Sequence, residues 1–291
     1  MRGVWRNKSS GRVVPLATIQ RNILRLLAAH RDPESYVAGS TPLNRDAPRY
    51  SGYIDIFHDR EERVAQAAQQ DAALLLEHGY ALKWVRRDPS MFAVLASRAD
   101  ETTKLEWVAD SDFRFFPTLQ DEMFGYLLHP LDLATNKVGA AYGRREPRDV
   151  VDLLTIHGRI LPLGAVVSAA AGKALGFTPE GIINEIRRNA RYTEADFRRV
   201  DSDPPIDPAA TMKRLHEVLT EAEAFVTCIP TDKVGLLFLK QGHVVQPDPD
   251  RLDEYQTHAG QQRGHWPSSA QIDAAMFERY NKKLNGNEPN P

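Results

Sequence analysis

The sequence predicts an α+β protein whose first half is rich in strands and whose second half is helical. Segments of the first half that are rich in β-branched and aromatic residues are separated by turn residues, as the strands of a sheet are. From Pro130 onward the pattern changes to helices, several of which begin at a proline. We therefore expect an α/β domain with a mixed β-sheet over 1–129. A mainly helical domain with a short hairpin and a polar tail is expected over 130–291.

Periodicity and turn residues place the elements of the first half. Apolar residues at helical spacing predict a helix over 16–30. A second helix is predicted over 60–79, with Asp71 facing solvent and Gly79 at its C-terminal end. Strands are predicted at 36–38, 53–57, 81–85, 91–96 and 104–108, with a further candidate at 113–116.

The second half is divided by prolines and glycines. Helices are predicted at 131–142, 147–157, 162–174, 179–189 and 208–227. Gly143 and Gly158 are expected just beyond the ends of the first two of these helices. A hairpin over 234–245 is expected to turn at Gln241-Gly242. In the polar tail a short helix is predicted near 270–282, and disorder is predicted from Asn285 onward.

Composition limits the classes of function. The net charge of −2 gives no global signature of a nucleic-acid binder, and the single cysteine excludes an internal disulfide. No apolar run reaches the roughly 18 residues of a membrane span, and segment 1–12 lacks the apolar core of a signal peptide. We therefore expect a cytoplasmic protein with no membrane partner. P-loop, nucleophile-elbow and zinc-ligand spacings are also absent from the sequence.

A small turn followed by an acidic strand is the most informative pattern in the chain. Gly39-Ser40 precedes Asp55 by about fifteen residues, and Asp55 stands among β-branched and aromatic neighbours. Alternate strand residues share a face, so Glu106 can face Asp55 across adjacent strands. Magnesium prefers oxygen ligands, and two metal ions can clamp the oxygens of a transferred phosphoryl group. The pattern is typical of nucleotidyl transfer, with Asp55 and Glu106 on magnesium and Gly39 and Ser40 on the triphosphate; solvated surface acids are the alternative.

Several motifs in the same order extend this interpretation. They are Ala38-Gly39-Ser40-Thr41-Pro42-Leu43, the stretch 49–57, Lys104-Leu105-Glu106, and the blocks 130–138 and 144–153. Together they cover about 36–154, and in this order they resemble the AbiEii/AbiGii-type nucleotidyltransferase toxins.

The resemblance implies a polymerase-β-like nucleotidyltransferase fold that uses magnesium and a nucleoside triphosphate. It also implies a toxin with an antitoxin partner, and an acceptor that in some members is tRNA; a protein acceptor stays open. Asp55, Glu106 and Lys137 are then expected at the catalytic centre, with Asp55 and Glu106 holding the metal. Gly39, Ser40, Lys104, Lys137 and Asp152 are expected at the nucleotide, with Asp149 as the alternative to Asp152.

Tyr53 departs from the family pattern, which has an acid at this position. A tyrosine is neutral at pH 7 and cannot replace a metal-binding carboxylate. Either the protein is catalytically impaired and acts as a binding or regulatory protein, or another acid compensates. Asp59 is the candidate, provided that the chain bends at His58. A third reading, an unrelated α+β binding domain, predicts no cleft around Gly39, Asp55 and Glu106.

Two arginine clusters have alternative explanations. Arg144, Arg145 and Arg148 are either solvent-facing charges or contacts to triphosphate or RNA. A second group is interleaved with aromatic rings, which suits single-stranded RNA, although helical amphipathicity explains the same pattern. This group comprises Arg187, Arg188, Arg191, Arg198 and Arg199, with Tyr192 and Phe197.

Overall fold

A computed structural model describes residues 16–47 and 49–267 of the chain. The segment 1–12, the helix predicted near 270–282 and the predicted disorder from Asn285 lie outside these residues. Among the described helices, none has by itself the length and apolarity to cross a membrane. The helices Pro147–Arg159 and Leu163–Ala171 meet such criteria only as a pair, across a bend of 110°.

The described helices and strands follow the predicted order. The helices are α1 (Thr18–Leu27), α2 (Ser40–Leu43), α3 (Glu61–Glu77), α4 (Pro130–Gly143), α5 (Pro147–Arg159), α6 (Leu163–Ala171), α7 (Pro179–Asn189), α8 (Glu194–Phe197) and α9 (Pro208–Thr227). The strands are β1 (Ser35–Ala38), β2 (Tyr53–His58), β3 (Ala81–Asp88), β4 (Met91–Arg98), β5 (Glu101–Ala109), β6 (Phe113–Arg114), β7 (Leu119–Asp121), β8 (Gly125–Leu127), β9 (Leu236–Lys240), β10 (His243–Val245), β11 (Gln256–Ala259) and β12 (Gln261–Gln262).

A mixed sheet of seven strands organises the first half, in the order β3-β4-β5-β2-β1-β8-β7. β2 lies between β1 and β5; it is antiparallel to β1 and parallel to β5. The β-branched and aromatic residues of these strands alternate between the two faces. One face packs on α1 and α3 around Ile23, Leu75 and Trp107. The opposite face carries Asp55 and Glu106.

The helices of the second half enclose a separate core. α4, α5, α6, α7 and α9 pack around Leu153, Val167 and Val218, and Phe115 and Phe116 from the first half join this core. These observations confirm the predicted fold class, a mixed sheet followed by a helical half. The hairpin turn is also confirmed, since Gln241 and Gly242 both have positive φ, at 52° and 78°.

The polar segment after the hairpin returns to the first half. β11 adds to β9, and β12 then pairs with β6, which lies before the predicted boundary at residue 130. The chain therefore crosses the predicted boundary more than once. The division into 1–129 and 130–291 stays a prediction. Strands β7, β8, β11 and β12 and helix α8 were not predicted, since two to four residues are too few to show a period.

Two predictions about side chains and glycines are wrong. Asp71 is buried, with Arg31 donating to both carboxylate oxygens at 2.8 and 2.6 Å and Trp107 Nε1 donating at 2.7 Å. The helical pattern alone places Asp71 on the solvent face. These partners allow its charge to be buried instead. Gly143 is the last residue of α4, and Gly158 lies inside α5, so neither stands beyond its helix.

Candidate active site

Strand pairing brings the predicted acids together. In the parallel register of β2 and β5, Asp55 lies opposite Glu106, and Tyr53 lies opposite Lys104. Ile54 and Ile56 point into the core on the other face, which fixes the direction of the residues between them. Because side chains alternate along β2 and β5, both carboxylates lie on the same side of the sheet.

Gly39 sets the contact between the turn and this pair. Its backbone has φ 70° and ψ −143°, a conformation that favours glycine. A Cβ atom at this position would lie 2.0 Å from Asp55 Oδ2, so no other residue fits without displacing the carboxylate. The turn thus lies directly against Asp55, and Ser40 begins α2 beside it.

The two carboxyl groups interact with each other. Glu106 lies opposite Asp55 in the register of β2 and β5, so the two negative charges repel each other. Burial raises the pKa of Asp55 to about 6, the negative charge of Glu106 adds to the rise, and the Lys137 ammonium opposes it. Asp55 keeps some exposure to solvent, so a cation can reach it. Such a pair is suited to a divalent cation, because the cation relieves the repulsion between the two carboxylates.

The donor set is a pair and not a triad. Among the described residues, no group of three or more His, Cys, Asp or Glu side chains comes together in an arrangement for a metal ion. Asp55 and Glu106 fit one cation of magnesium type, which commonly binds through one or two carboxylates plus phosphates and waters. Lys104 Nζ forms an ion pair with Glu106 beside them.

Lys137 connects α4 to the Gly39-Ser40 turn. Its ammonium donates a hydrogen bond to Ser40 Oγ at 3.0 Å and lies 2.8 Å from Asp152 Oδ2. The side chain is largely buried, which strengthens its field at the turn. A positive charge therefore stands at the point where the resemblance implies that the triphosphate binds.

Asp152 is the centre of a fully partnered ionic cluster. Arg49 binds it with two hydrogen bonds, from Nε to Oδ1 at 2.8 Å and from Nη2 to Oδ2 at 3.0 Å. Asn44 Nδ2 donates to Oδ1 at 3.0 Å, and Lys137 contacts Oδ2. Burial favours the neutral acid, but the charges of Lys137 and Arg49 together hold the pKa of Asp152 below its usual value. The charge of Asp152 is thus balanced inside the protein, and Asp152 holds Lys137 in place.

Tyr53 lies between two cations instead of at a metal ligand position. Lys104 Nζ and Arg148 Cζ each lie 5.3 Å from the centre of its ring. Asp59 does not compensate for the missing acid, because Arg114 binds it with two hydrogen bonds of 2.7 and 3.0 Å. The bend required at His58 is also absent, since β2 continues through that residue.

The arginine clusters divide between ion pairs and a cavity. Arg144 forms two hydrogen bonds with Asp149, of 2.7 and 2.8 Å. Arg145, Arg148 and Arg199 line a cavity of about 540 Å³ next to Tyr53, together with Tyr192. In the second cluster, Arg187 pairs with Glu223, Arg188 with Glu185 and Arg198 with Glu194, as amphipathic helices predict.

Comparison by sequence finds no match for this chain, whereas comparison by structure finds proteins of similar fold. No family model and no curated protein matches the sequence. The structure is similar to MenT4, a nucleotidyltransferase toxin from Mycobacterium tuberculosis. The TM-score is 0.50 and the identity 15%, over 74% of this chain and 83% of that chain. The chain has the nucleotidyltransferase fold. The fold that the AbiEii/AbiGii resemblance implied is thereby confirmed.

Two Helicobacter pylori structures are also similar. They are JHP933 and a candidate nucleotidyltransferase, with TM-scores of 0.45 and 0.44 and 14% identity each. The similar region covers 73% and 72% of this chain, and 95% and 93% of those chains. At these TM-scores the likeness is too low to support an inference about this protein.

Arg49, Asn44 and Arg148 were not among the predicted site residues. Arg49 and Asn44 reach Asp152 across 103 and 108 positions of the chain. The only signal in the sequence is that Arg49 stands at the start of the motif 49–57. Arg148 belongs to the first arginine cluster, and its contact with the Tyr53 ring places it at this candidate site.

Proposed function

We propose that this protein binds a nucleoside triphosphate with magnesium and transfers a nucleotide to an RNA or protein acceptor. The observation that carries the proposal is the Asp55–Glu106 carboxyl pair, which lies against Gly39 and close to Lys137. A carboxyl pair with a raised pKa at Asp55 and a turn that only glycine fits meet at this point. Such features are typical of functional sites.

Each residue of the site has a distinct role in the proposal. Asp55 and Glu106 would hold magnesium, which neutralises developing phosphate charge when it is bound. The open backbone of Gly39 lets a triphosphate approach, and Lys137 acts on it as a point charge. Lys104 and Ser40 line the same face. Asp152 orients Lys137, since it accepts from Lys137, Arg49 and Asn44 and has no exposed surface.

Calorimetric titration of nucleoside triphosphates in the presence of magnesium tests this proposal. We expect binding heat for the wild-type protein and its loss in Asp55→Asn, which keeps the size of the side chain. Asp253→Asn is the control, because Asp253 is an exposed acid outside the site. Equal heats for the wild-type protein and Asp55→Asn would reject the site.

Tyr53 favours a second candidate function. A neutral ring at a position that the family gives to an acid fits a protein of reduced activity that binds nucleotide or regulates a partner. The discriminating experiment is transfer from labelled triphosphates by Tyr53→Asp. A gain over the wild-type protein supports impairment, whereas unchanged transfer shows that Tyr53 is not the cause of low activity.

The structural similarity to a toxin supports a proposal about the role of this protein in the cell. We propose a cytoplasmic toxin with an antitoxin partner, whose acceptor is tRNA or a protein. We also propose that the division at residue 130 separates the catalytic and helical domains. The cavity beside Tyr53 supports an acceptor site, because its three arginines and Tyr192 suit phosphate and ring contacts. Growth arrest on expression, abolished by Asp55→Asn, is the expected phenotype.

A further inference from the structure

We infer that this site takes a single divalent cation, and that the ammonium of Lys104 supplies the net charge that a second cation and a third carboxylate would bring together. The inference rests on the proposed function, since it concerns the metal stoichiometry of the same site. Lys104 is then a positioning residue for the carboxyl pair. Tyr53, which cannot bind a metal as an acid would, instead helps to hold the Lys104 ammonium.

The number of available carboxylates supports one cation. A pair of metal ions about 4 Å apart needs acids enough to bridge and flank them. Asp55 and Glu106 are the acids that meet on this face, and Tyr53 offers a neutral phenol. Asp59 is committed to Arg114, and Asp152 is committed to Arg49 and Lys137.

Lys104 is held in place by two contacts. In the register of the sheet it lies opposite Tyr53, next to the opposed Asp55 and Glu106. Its ammonium pairs with Glu106 and lies 5.3 Å from the centre of the Tyr53 ring. A carboxylate and the negative face of an aromatic ring both attract a cation, so the ammonium is fixed beside the carboxyl pair.

The formal charges are consistent with a replacement of one divalent cation. Three carboxylates would carry a charge of −3, whereas Asp55, Glu106 and Lys104 together carry −1. The difference of two charges equals the charge of one magnesium ion. Lys137 also acts on the charge of Asp55, but its own ion pair is with Asp152, whereas Lys104 pairs directly with Glu106. Arg148 acts on Asp55 as well, but it lies on the Tyr53 ring and its ion pair is with Glu146.

Electron paramagnetic resonance with Mn²⁺ tests the inference without relying on activity. The full chain is titrated with Mn²⁺ in the presence of inorganic tripolyphosphate, which avoids any dependence on the base. We expect one bound Mn²⁺ per chain, with the spectrum of an isolated ion. Two bound ions with a spin-coupled spectrum in the wild-type protein would overturn the inference and leave the proposed function intact. No bound ion would overturn both.

Variants separate a positioning role of Lys104 from a structural one. Tyr53→Asp combined with Lys104→Gln is expected to raise the stoichiometry from one Mn²⁺ to two, with spin coupling. Lys104→Arg keeps the charge and is expected to retain one isolated ion. If the double variant binds one isolated ion while its circular dichroism matches the wild type, the inference is wrong. If the double variant does not fold, the wild-type stoichiometry still decides the question.

Discussion

Two groups of buried acids lie next to each other in this molecule, and they are partnered in opposite ways. Asp152 has no exposed surface, and its oxygens accept from Arg49, Asn44 and Lys137. Asp55 keeps partial exposure and faces another acid, Glu106, so that its pKa is raised while that of Asp152 is lowered. The first group is satisfied by the protein itself. The second is not, and in our proposal a cation from outside satisfies it; Lys137 connects the two.

The largest expected effect comes from the satisfied group. Asp152→Asn leaves Arg49 and Lys137 without a counter-charge in the interior, and we expect a loss of about 3–5 kcal/mol in the free energy of unfolding. Urea unfolding measures it. A loss below about 1 kcal/mol would contradict the structural role of this cluster.

The corresponding substitution in the Asp55–Glu106 pair, Asp55→Asn, is expected to raise the free energy of unfolding instead of lowering it. In metal-free protein at pH 7.5, Asp55→Asn removes one of two facing acids and should stabilise the fold by about 1–3 kcal/mol. Urea unfolding of the wild type, Asp55→Asn and Asp152→Asn in EDTA shows whether each substitution stabilises or destabilises the protein. If both variants are destabilised equally, the two groups do not differ as described.

The pH dependence of these effects follows from the pKa shifts. Since the pKa of Asp55 is raised above 3.8 to about 6 in the folded protein, the folded state binds the proton more tightly. Stability of metal-free wild-type protein relative to Asp55→Asn should therefore fall as pH rises from about 4 to 6. The pKa of Asp152 is lowered, so its contribution is present above the unfolded value and is lost only as pH falls through the folded one.

Gly39→Ala tests the contact between turn and carboxylate. The new Cβ would overlap Asp55 Oδ2, and the residue would keep a positive φ, so we expect a cost of about 1–3 kcal/mol. Magnesium-dependent nucleotide binding should be lost as well. Gly52→Ala is the matched control, because no atom lies within 4 Å of its added Cβ. Unimpaired nucleotide binding in Gly39→Ala would contradict the proposed approach of the triphosphate.

The smallest effect is expected at Tyr53. Tyr53→Ala removes the ring that lies against Lys104 and Arg148 and should cost about 0.5–1 kcal/mol for each contact. Tyr53→Phe keeps the ring and should stay within about 0.5 kcal/mol of the wild type. Equal thermal unfolding of the two variants would show that the ring does not hold these cations.

The comparison also explains which parts of the molecule the sequence could predict. Asp55 and Glu106 were found because strand alternation is local, and opposing acids follow once β2 and β5 are neighbours. The Asp152 cluster depends on Arg49 and Asn44, which lie more than 100 positions away, and the burial of Asp71 depends on Arg31, 40 positions away. No local period carries such information. Ion-pair partners in the interior become visible only when the elements are packed.

The stability order of the wild-type protein and Asp55→Asn, with and without magnesium and tripolyphosphate, tests the central claim most directly. If the carboxyl pair is a cation site, Asp55→Asn is the more stable protein in EDTA and the less stable one with the ligands, because only the wild type gains binding free energy. An order that does not reverse would contradict the assignment of Asp55 and Glu106 as the cation site.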